Sequence, residues 1–229
     1  MQKSILNLVS FADLISITNA ICGLLAIFVL FTDFAVSDLR LRVAFSFILL
    51  ALLADGLDGI VARKTSQSDL GEYFESMADM TSLAIAPAIF IYVIYLEKIT
   101  VDRYQIYLIL VLLYLVTFSI IRLASFHIMK EKKFFVGIPA SASTIILITL
   151  AYLEIDFFYM LIAIVIITPA LIGYIKFPKP GIKVNAVASA LIILTLIFDK
   201  SYNQITIILL FAAILIYSIA GPIYLLIKK

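Results

Sequence analysis

Eight long apolar runs, each closed by charged or turn-forming residues, organise the chain. They fall at about 14–32, 40–62, 71–96, 104–126, 138–153, 155–174, 183–198 and 204–227. The runs are continuous rather than alternating in polarity, which predicts helices and excludes a membrane barrel. Most approach the roughly 20 residues that carry a helix across a hydrocarbon core of about 30 Å. The fifth and seventh are shorter. Ahead of the first run, Ile5, Leu8, Val9 and Ala12 recur at helical spacing, which predicts a short interfacial helix within residues 1–13. The expected fold class is therefore an all-α polytopic membrane protein, a single domain over residues 1–229, with no sheet.

Composition sharpens this picture. The chain is 64% hydrophobic and 14% charged, with a mean hydropathy of +1.17. Soluble domains carry about 25% charged residues. No polar stretch exceeds a loop, so any chemistry takes place in the membrane or at its surface. The net charge of +2 gives no argument for a nucleic-acid partner. A single cysteine, Cys22, excludes an internal disulfide.

Lysine and arginine sort unevenly between the two sides. The N-terminus, the second, fourth and sixth loops and the C-terminus together hold eleven: Lys3, Arg63, Lys64, Lys130, Lys132, Lys133, Lys176, Lys179, Lys183, Lys228 and Lys229. The other side holds five, Arg40, Arg42, Lys98, Arg103 and Lys200, and Arg122 sits inside a run. The imbalance puts both termini in the cytoplasm, in a protein of the cell membrane.

Four acids interrupt the apolar pattern: Asp55, Asp58, Glu75 and Asp79. A charge at mid-membrane costs about 2.5–3.5 kcal/mol on insertion scales, so intramembrane acids point to function. The loop between the second and third runs, 64–70, is short, so those helices are expected to be antiparallel neighbours. Asp55 and Asp79 each lie eight residues from the loop-side ends at Arg63 and Gly71, a depth of about 12 Å on each helix. Asp55 and Asp58 are spaced i, i+3, and Glu75 and Asp79 i, i+4, so each pair shares a helix face. Meeting faces would bring four carboxylates into one pocket open to the cytoplasm. Clustered carboxylate oxygens suit a divalent cation, Mg²⁺ or Mn²⁺, with Ca²⁺ as another occupant. Gly59, Ala62 and Gly71 leave room beside them for a ligand or for a close helix.

The residues Asp55, Asp58, Gly59, Ala62, Arg63, Gly71, Glu75 and Asp79 follow the pattern D-x-x-D-G-x-x-A-R, then G-x-x-x-D-x-x-x-D. This resembles the CDP-alcohol phosphotransferases. The chain departs from the pattern twice. The spacing between Arg63 and Gly71 is one residue shorter than usual, and Glu75 stands where the family has Asp. ITNAICGLLAI (17–27), SMADMTSLAIAPA (76–88), FFVGIPASAS (134–143) and GYIKFPKP (173–180) are similar to the membrane-type phosphatidylserine synthases and archaetidylserine synthases.

The resemblance implies a reaction in which a CDP-linked lipid, CDP-diacylglycerol or CDP-archaeol, meets the hydroxyl of L-serine and CMP is released. It implies Asp55, Asp58 and Glu75 as metal ligands and Asp79 as general base, with Asp79 also touching a second metal. It implies that the CDP group lies near Gly59, Ala62, Arg63 and Gly71, and that the protein is a homodimer among membrane lipids.

Arg122 lies well inside its run. Its guanidinium suits a substrate anion, the serine carboxylate or a phosphate, or else an ion pair with one of the acids. Arg63 reads equally as a cytoplasmic anchor. His127 reads as interfacial, Lys130, Lys132 and Lys133 as topology-setting, and Cys22 as core. Thr18 and Asn19 read as polar residues bonded to their own helix backbone, and Pro87, Pro139 and Pro169 as kinks within helices. Glycerol phosphate or inositol phosphate in place of serine is the rival within the same chemistry. A cation or proton transporter is the rival outside it, but beyond Asp55 and Asp79 the runs continue apolar, as FSFILLALLA and SLAIAPAIFIYVIY.

Overall fold

The computed structural model describes residues 9–32, 37–62, 68, 70–126, 128, 134–198 and 204–227, except for the side chains at 37, 58–60, 62 and 126. Its helices are α1 (Phe11–Leu30), α2 (Ser37–Ala62), α3 (Gly71–Asp79), a π-helical segment (Met80–Ile85), α4 (Ala86–Leu96), α5 (Asp102–Phe126), α6 (Ala140–Tyr152), α7 (Phe157–Ile172), α8 (Ile182–Phe198) and α9 (Ile205–Ile227). Two short strands, β1 (Phe134–Val136) and β2 (Lys176–Pro178), complete it. Each predicted run coincides with one helical rod, once α3, the π segment and α4 are taken as a single rod. Four rods are long and apolar enough to cross a membrane: Phe11–Leu30, Gly71–Leu96, Asp102–Ser125 and Ile205–Ile227. Three are shorter: Ala140–Tyr152, Phe157–Ile172 and Ile182–Phe198. The chain is a helical membrane protein.

Two expectations need correction, and a third falls mostly outside the described residues. Residues 1–8 of the predicted interfacial helix lie outside them, and 11–13 belong to α1. The reason is a capping box: the Ser10 N–H donates to Asp13 Oδ2 (2.6 Å) and the Asp13 N–H to Ser10 Oγ (3.3 Å), which starts the helix ahead of the apolar run. A small sheet also exists, because β1 and β2 pair antiparallel with Phe135 opposite Phe177. Finally, Pro139 does not kink a helix. It is the N-cap of α6, so the fifth rod is only 13 residues long.

Among the described residues, contacts between connections join odd with odd and even with even. Arg40 pairs with Glu97, and Lys98 Nζ lies 2.6 Å from Glu154 Oε2, joining odd-numbered connections. The β1–β2 ribbon joins the fourth and sixth connections.

The inward face of α1 is small and polar: Ala12, Asp13, Ser16, Asn19, Gly23 and Ala26, ending at Leu30. Small residues let membrane helices approach closely. This face packs against α2, α3, the π segment and α4. A Cβ on Gly23 would lie 2.7 Å from the Ser82 Cα, so the π segment touches α1 backbone to backbone there. The main apolar core is built on Phe45, Ile48 and Leu49 of α2, Phe90 and Ile91 of α4, and Leu147 and Ile148 of α6. The Phe45 and Tyr152 rings stack at 4.2 Å.

The π segment has a local cause. Pro87 has no N–H to give to the carbonyl four residues back, that of Leu83, and its ring crowds that carbonyl. The helix widens ahead of the proline, and the Ala86 N–H bonds to the Thr81 carbonyl five residues back. Thr144 of α6 then donates its hydroxyl to the Leu83 carbonyl at 2.8 Å. Both residues are buried, so this bond ties α6 to the segment directly after Asp79.

The turn after β1 depends on Gly137. Its φ is +78°, and an added Cβ would lie 2.1 Å from the Leu171 carbonyl oxygen. The Gly137 N–H bonds to the Ile175 carbonyl and the Ile138 N–H to the Ala170 carbonyl, both at 2.8 Å. These bonds aim residues 139–141 back toward the bundle.

Two substitutions test this framework. Thr144→Val keeps the shape but strands a buried carbonyl, at an expected cost of about 1–3 kcal/mol. It should lower the unfolding temperature in detergent, and Thr144→Ser should recover most of the loss. Gly137→Ala should cost more than Thr144→Val, because a forbidden φ and a backbone clash act together. Its readout is the monodisperse yield on size exclusion.

Candidate active site

A cavity of about 160 Å³ opens where α2, α3, α5 and the start of α6 meet. Asp55 enters its wall from α2, and Glu75, Ser76 and Asp79 from α3. Arg122 and Leu123 enter from α5, and Phe135, Pro139, Ala140 and Ser141 from the segment after it. One wall is thus anionic, and a guanidinium stands in the same small space. Glu75 and Asp79 share a face of α3 through their i, i+4 spacing, as expected.

Burial is graded across the site. Asp55 and Glu75 are half-buried, Asp79 is 8% exposed and Arg122 6% exposed. Asn19 of α1, fully buried, donates its amide N–H to Asp79 Oδ1 at 3.0 Å. Arg122 Nε donates to the Ile138 carbonyl at a long 3.5 Å, which links the guanidinium to the Gly137 turn. Pro139, the N-cap of α6, supplies no side-chain cap to its first turn, which opens beside Arg122 in the cavity wall.

The sequence-predicted residues fare differently. Asp55, Glu75, Asp79 and Arg122 all line one cavity. Asp58 lies one turn after Asp55 in α2, but its side chain is outside the described residues. The surroundings of Gly59 and the side chain of Ala62 also lie outside them, as does all of Arg63, His127, Lys130, Lys132 and Lys133. Gly71 is the first residue of α3, and its N–H bonds to the Ser68 carbonyl. It is not part of the cavity wall. Cys22 is half-buried rather than core.

One expectation changes here, that for Asn19. Asp55 of α2 and Glu75 and Asp79 of α3 face one cavity. Among the described residues, α3 packs chiefly on α1, and α2 meets the same rod later, at the π segment and α4. The cavity occupies the space between the acidic faces. Thr18 does bond its own backbone, to the Leu14 carbonyl at 2.9 Å. Asn19 does not, because a buried carboxylate across the interface is the stronger acceptor.

Among the described residues no group of three or more Asp, Glu, His or Cys is arranged to hold a metal ion. The chemistry of the donor set nevertheless fits a hard divalent cation, since the acidic wall offers carboxylate oxygens and neither thiol nor imidazole. Sequence reasoning missed Ser76, Phe135 and Ser141 and undervalued Asn19. Asn19 alone had a usable signal, as an amide within an apolar span.

Known proteins resemble this chain along most of its length. The family model described as CDP-alcohol phosphatidyltransferase matches residues 9–224. A CDP-diacylglycerol–serine O-phosphatidyltransferase of Methanocaldococcus jannaschii is 30% identical over 177 residues, 77% of each chain. An archaetidylserine synthase of Methanothermobacter thermautotrophicus is 32% identical over 186 residues, 78% of this chain and 73% of its own. A CDP-diacylglycerol–serine O-phosphatidyltransferase of Helicobacter pylori is 25% identical over 233 residues, 95% of this chain and 93% of its own. With a match that spans nearly every helix and an acidic cavity at its motif, the chain belongs to the CDP-alcohol phosphatidyltransferase family and is an enzyme.

Proposed function

We propose that the protein transfers the phosphatidyl-type group of a CDP-activated lipid to the hydroxyl of L-serine and releases CMP. The observation that carries this reading is the shared cavity, where Asp55, Glu75 and Asp79 face the same space as Arg122. The names of the similar proteins support serine as the acceptor. They also support both CDP-diacylglycerol and CDP-archaeol as the lipid donor.

The reaction is one displacement at phosphorus. The serine oxygen forms a bond to the lipid-bearing phosphorus, and the bond from that phosphorus to the CMP oxygen breaks. The serine hydroxyl proton goes to Asp79, the most buried carboxylate described in the cavity. Asp55, Asp58, Glu75 and Asp79 would hold the divalent metal, Mg²⁺ or Mn²⁺. Bound there, the metal would screen the pyrophosphate and stabilise charge on the departing CMP. The longer Glu75 side chain would take the place of the family's Asp in that set. Arg122 would receive a substrate anion through its forked donors, the serine carboxylate or a phosphate. Gly59, Ala62, Arg63 and Gly71 would flank the CDP group at the loop-side ends of α2 and α3.

The same reading sets eight spans in the cell membrane, with both termini and the cavity mouth in the cytoplasm. The basic residues of the even-numbered loops support this orientation. The working unit would be a homodimer, as in the family.

CMP release by purified protein tests the reading. Release should require CDP-lipid and L-serine, stop with EDTA and return with Mg²⁺ or Mn²⁺. Asp79→Asn should reduce kcat by about 10²–10⁴-fold. Release driven by glycerol phosphate or inositol phosphate, but not by serine, would overturn the choice of acceptor. Metal binding with no release from any alcohol would favour transport. Arg122→Lys should raise KM for serine if the anion is the carboxylate, and KM for CDP-lipid if it is a phosphate.

A further inference from the structure

We infer that Asn19 is the positioning residue of the general base: its amide fixes the rotation of the Asp79 carboxylate within the cavity. The inference rests on the proposed role of Asp79.

Asn19 lies 60 residues before Asp79 in sequence and on another helix, yet its Nδ2 donates to Asp79 Oδ1 at 3.0 Å with both side chains buried. Asp79 lines the cavity and Asn19 does not, so the amide acts on the carboxylate from behind, away from substrate. Such a bond restricts the rotation of the carboxylate and with it the direction of its lone pairs. A base works only within about 3 Å of the proton it takes, so this direction matters.

A second observation sets Asn19 apart from ordinary helix glue. Its Oδ1 is buried and has no hydrogen-bond partner among the described residues. An unsatisfied buried acceptor is unfavourable, so only half of the amide is used for cohesion. The used half is the one on Asp79.

The backbone around this bond is fixed from two further sides. Gly23, one turn after Asn19 on α1, admits the Ser82 backbone, three residues after Asp79. Thr144 holds the Leu83 carbonyl. Asp79 therefore ends a helix whose continuation is clamped. The side-chain torsions of Asp79 are what the clamped backbone leaves to be set, and the Asn19 bond restrains them.

The test compares steady-state CMP release by wild type, Asn19→Leu, Asn19→Ala, Asn19→Gln and Asp79→Asn, each first shown to be monodisperse in detergent. Asn19→Leu keeps the branched shape of asparagine and Asn19→Ala removes the amide, and neither can donate to a carboxylate. Their kcat should fall ten- to a hundredfold, with KM for L-serine and for CDP-lipid within about twofold of wild type. Asn19→Gln keeps the donor and should retain more kcat than either. A merely structural residue would instead lower the unfolding temperature and the active fraction, with no order between Gln and Leu. Asn19→Ala carries the test alone if Asn19→Leu does not fold, and the same loss of kcat is expected of it. Wild-type kcat in the non-donating variants, or a loss confined to KM, overturns the inference. If Asp79→Asn is inactive while Asn19→Leu is fully active, the inference fails alone. If Asp79→Asn remains active, the base assignment fails with it.

Discussion

An ionisable carboxylate between membrane helices is tolerated only where polar groups meet it. Asp79 is such a group, and the bundle around it is arranged to hold it. Asn19 reaches it from α1, Arg122 shares its cavity from α5, and the π segment begins at the next residue. The small inward face of α1 serves the same end, since a bulkier residue at Gly23 would push the π segment away and Asp79 with it. The local fold is organised less by apolar packing, which any lipid-like surface can match, than by this need to keep one acid supplied with partners.

The cost of the arrangement falls on Pro87. A proline four residues after Leu83 removes a backbone bond inside a membrane, where water cannot replace it. The π segment and the Thr144 hydroxyl absorb that loss, and α6 is drawn in as a result. The opening residues of α6 then line the cavity, so a backbone defect in the third rod positions part of the opposite wall. The Gly137 turn completes the path, because the Ile138 carbonyl just after it accepts from Arg122.

Much of this was legible in the chain. Continuous apolar runs can satisfy their backbone in a bilayer only as helices, so the eight rods followed from the pattern alone. The acids at 55, 75 and 79 were visible because they stand about 12 Å or less from the loop, next to stretches that otherwise continue apolar as FSFILLALLA and SLAIAPAIFIYVIY. What could not be read was what those acids meet. Asn19 looked like any polar residue in a helix, and its choice of Asp79 over its own backbone depends on which helix lies opposite. The ribbon had no periodic signal, since three residues per strand are too few to show alternation. Pro87 was visible, but the threonine that answers it lies 61 residues from the carbonyl it meets.

The cavity also constrains how the chemistry is divided. Anionic and cationic groups share about 160 Å³, so a substrate carrying both a hydroxyl and an anion would be oriented by charge before it meets the base. L-serine has this form, with its hydroxyl two carbons from its carboxylate. If Arg122 receives the carboxylate, an alcohol without a fixed negative group would gain nothing from it. A larger one, such as inositol phosphate, would have to fit the same space beside Phe135 and Pro139. On the proposed reading, discrimination among alcohols would be tied to a distance set by the fold: the span from α3, held by Asn19 and Thr144, to α5, linked to the Gly137 turn. Changes that loosen either side would blur the choice of acceptor before they abolish the capacity to release CMP.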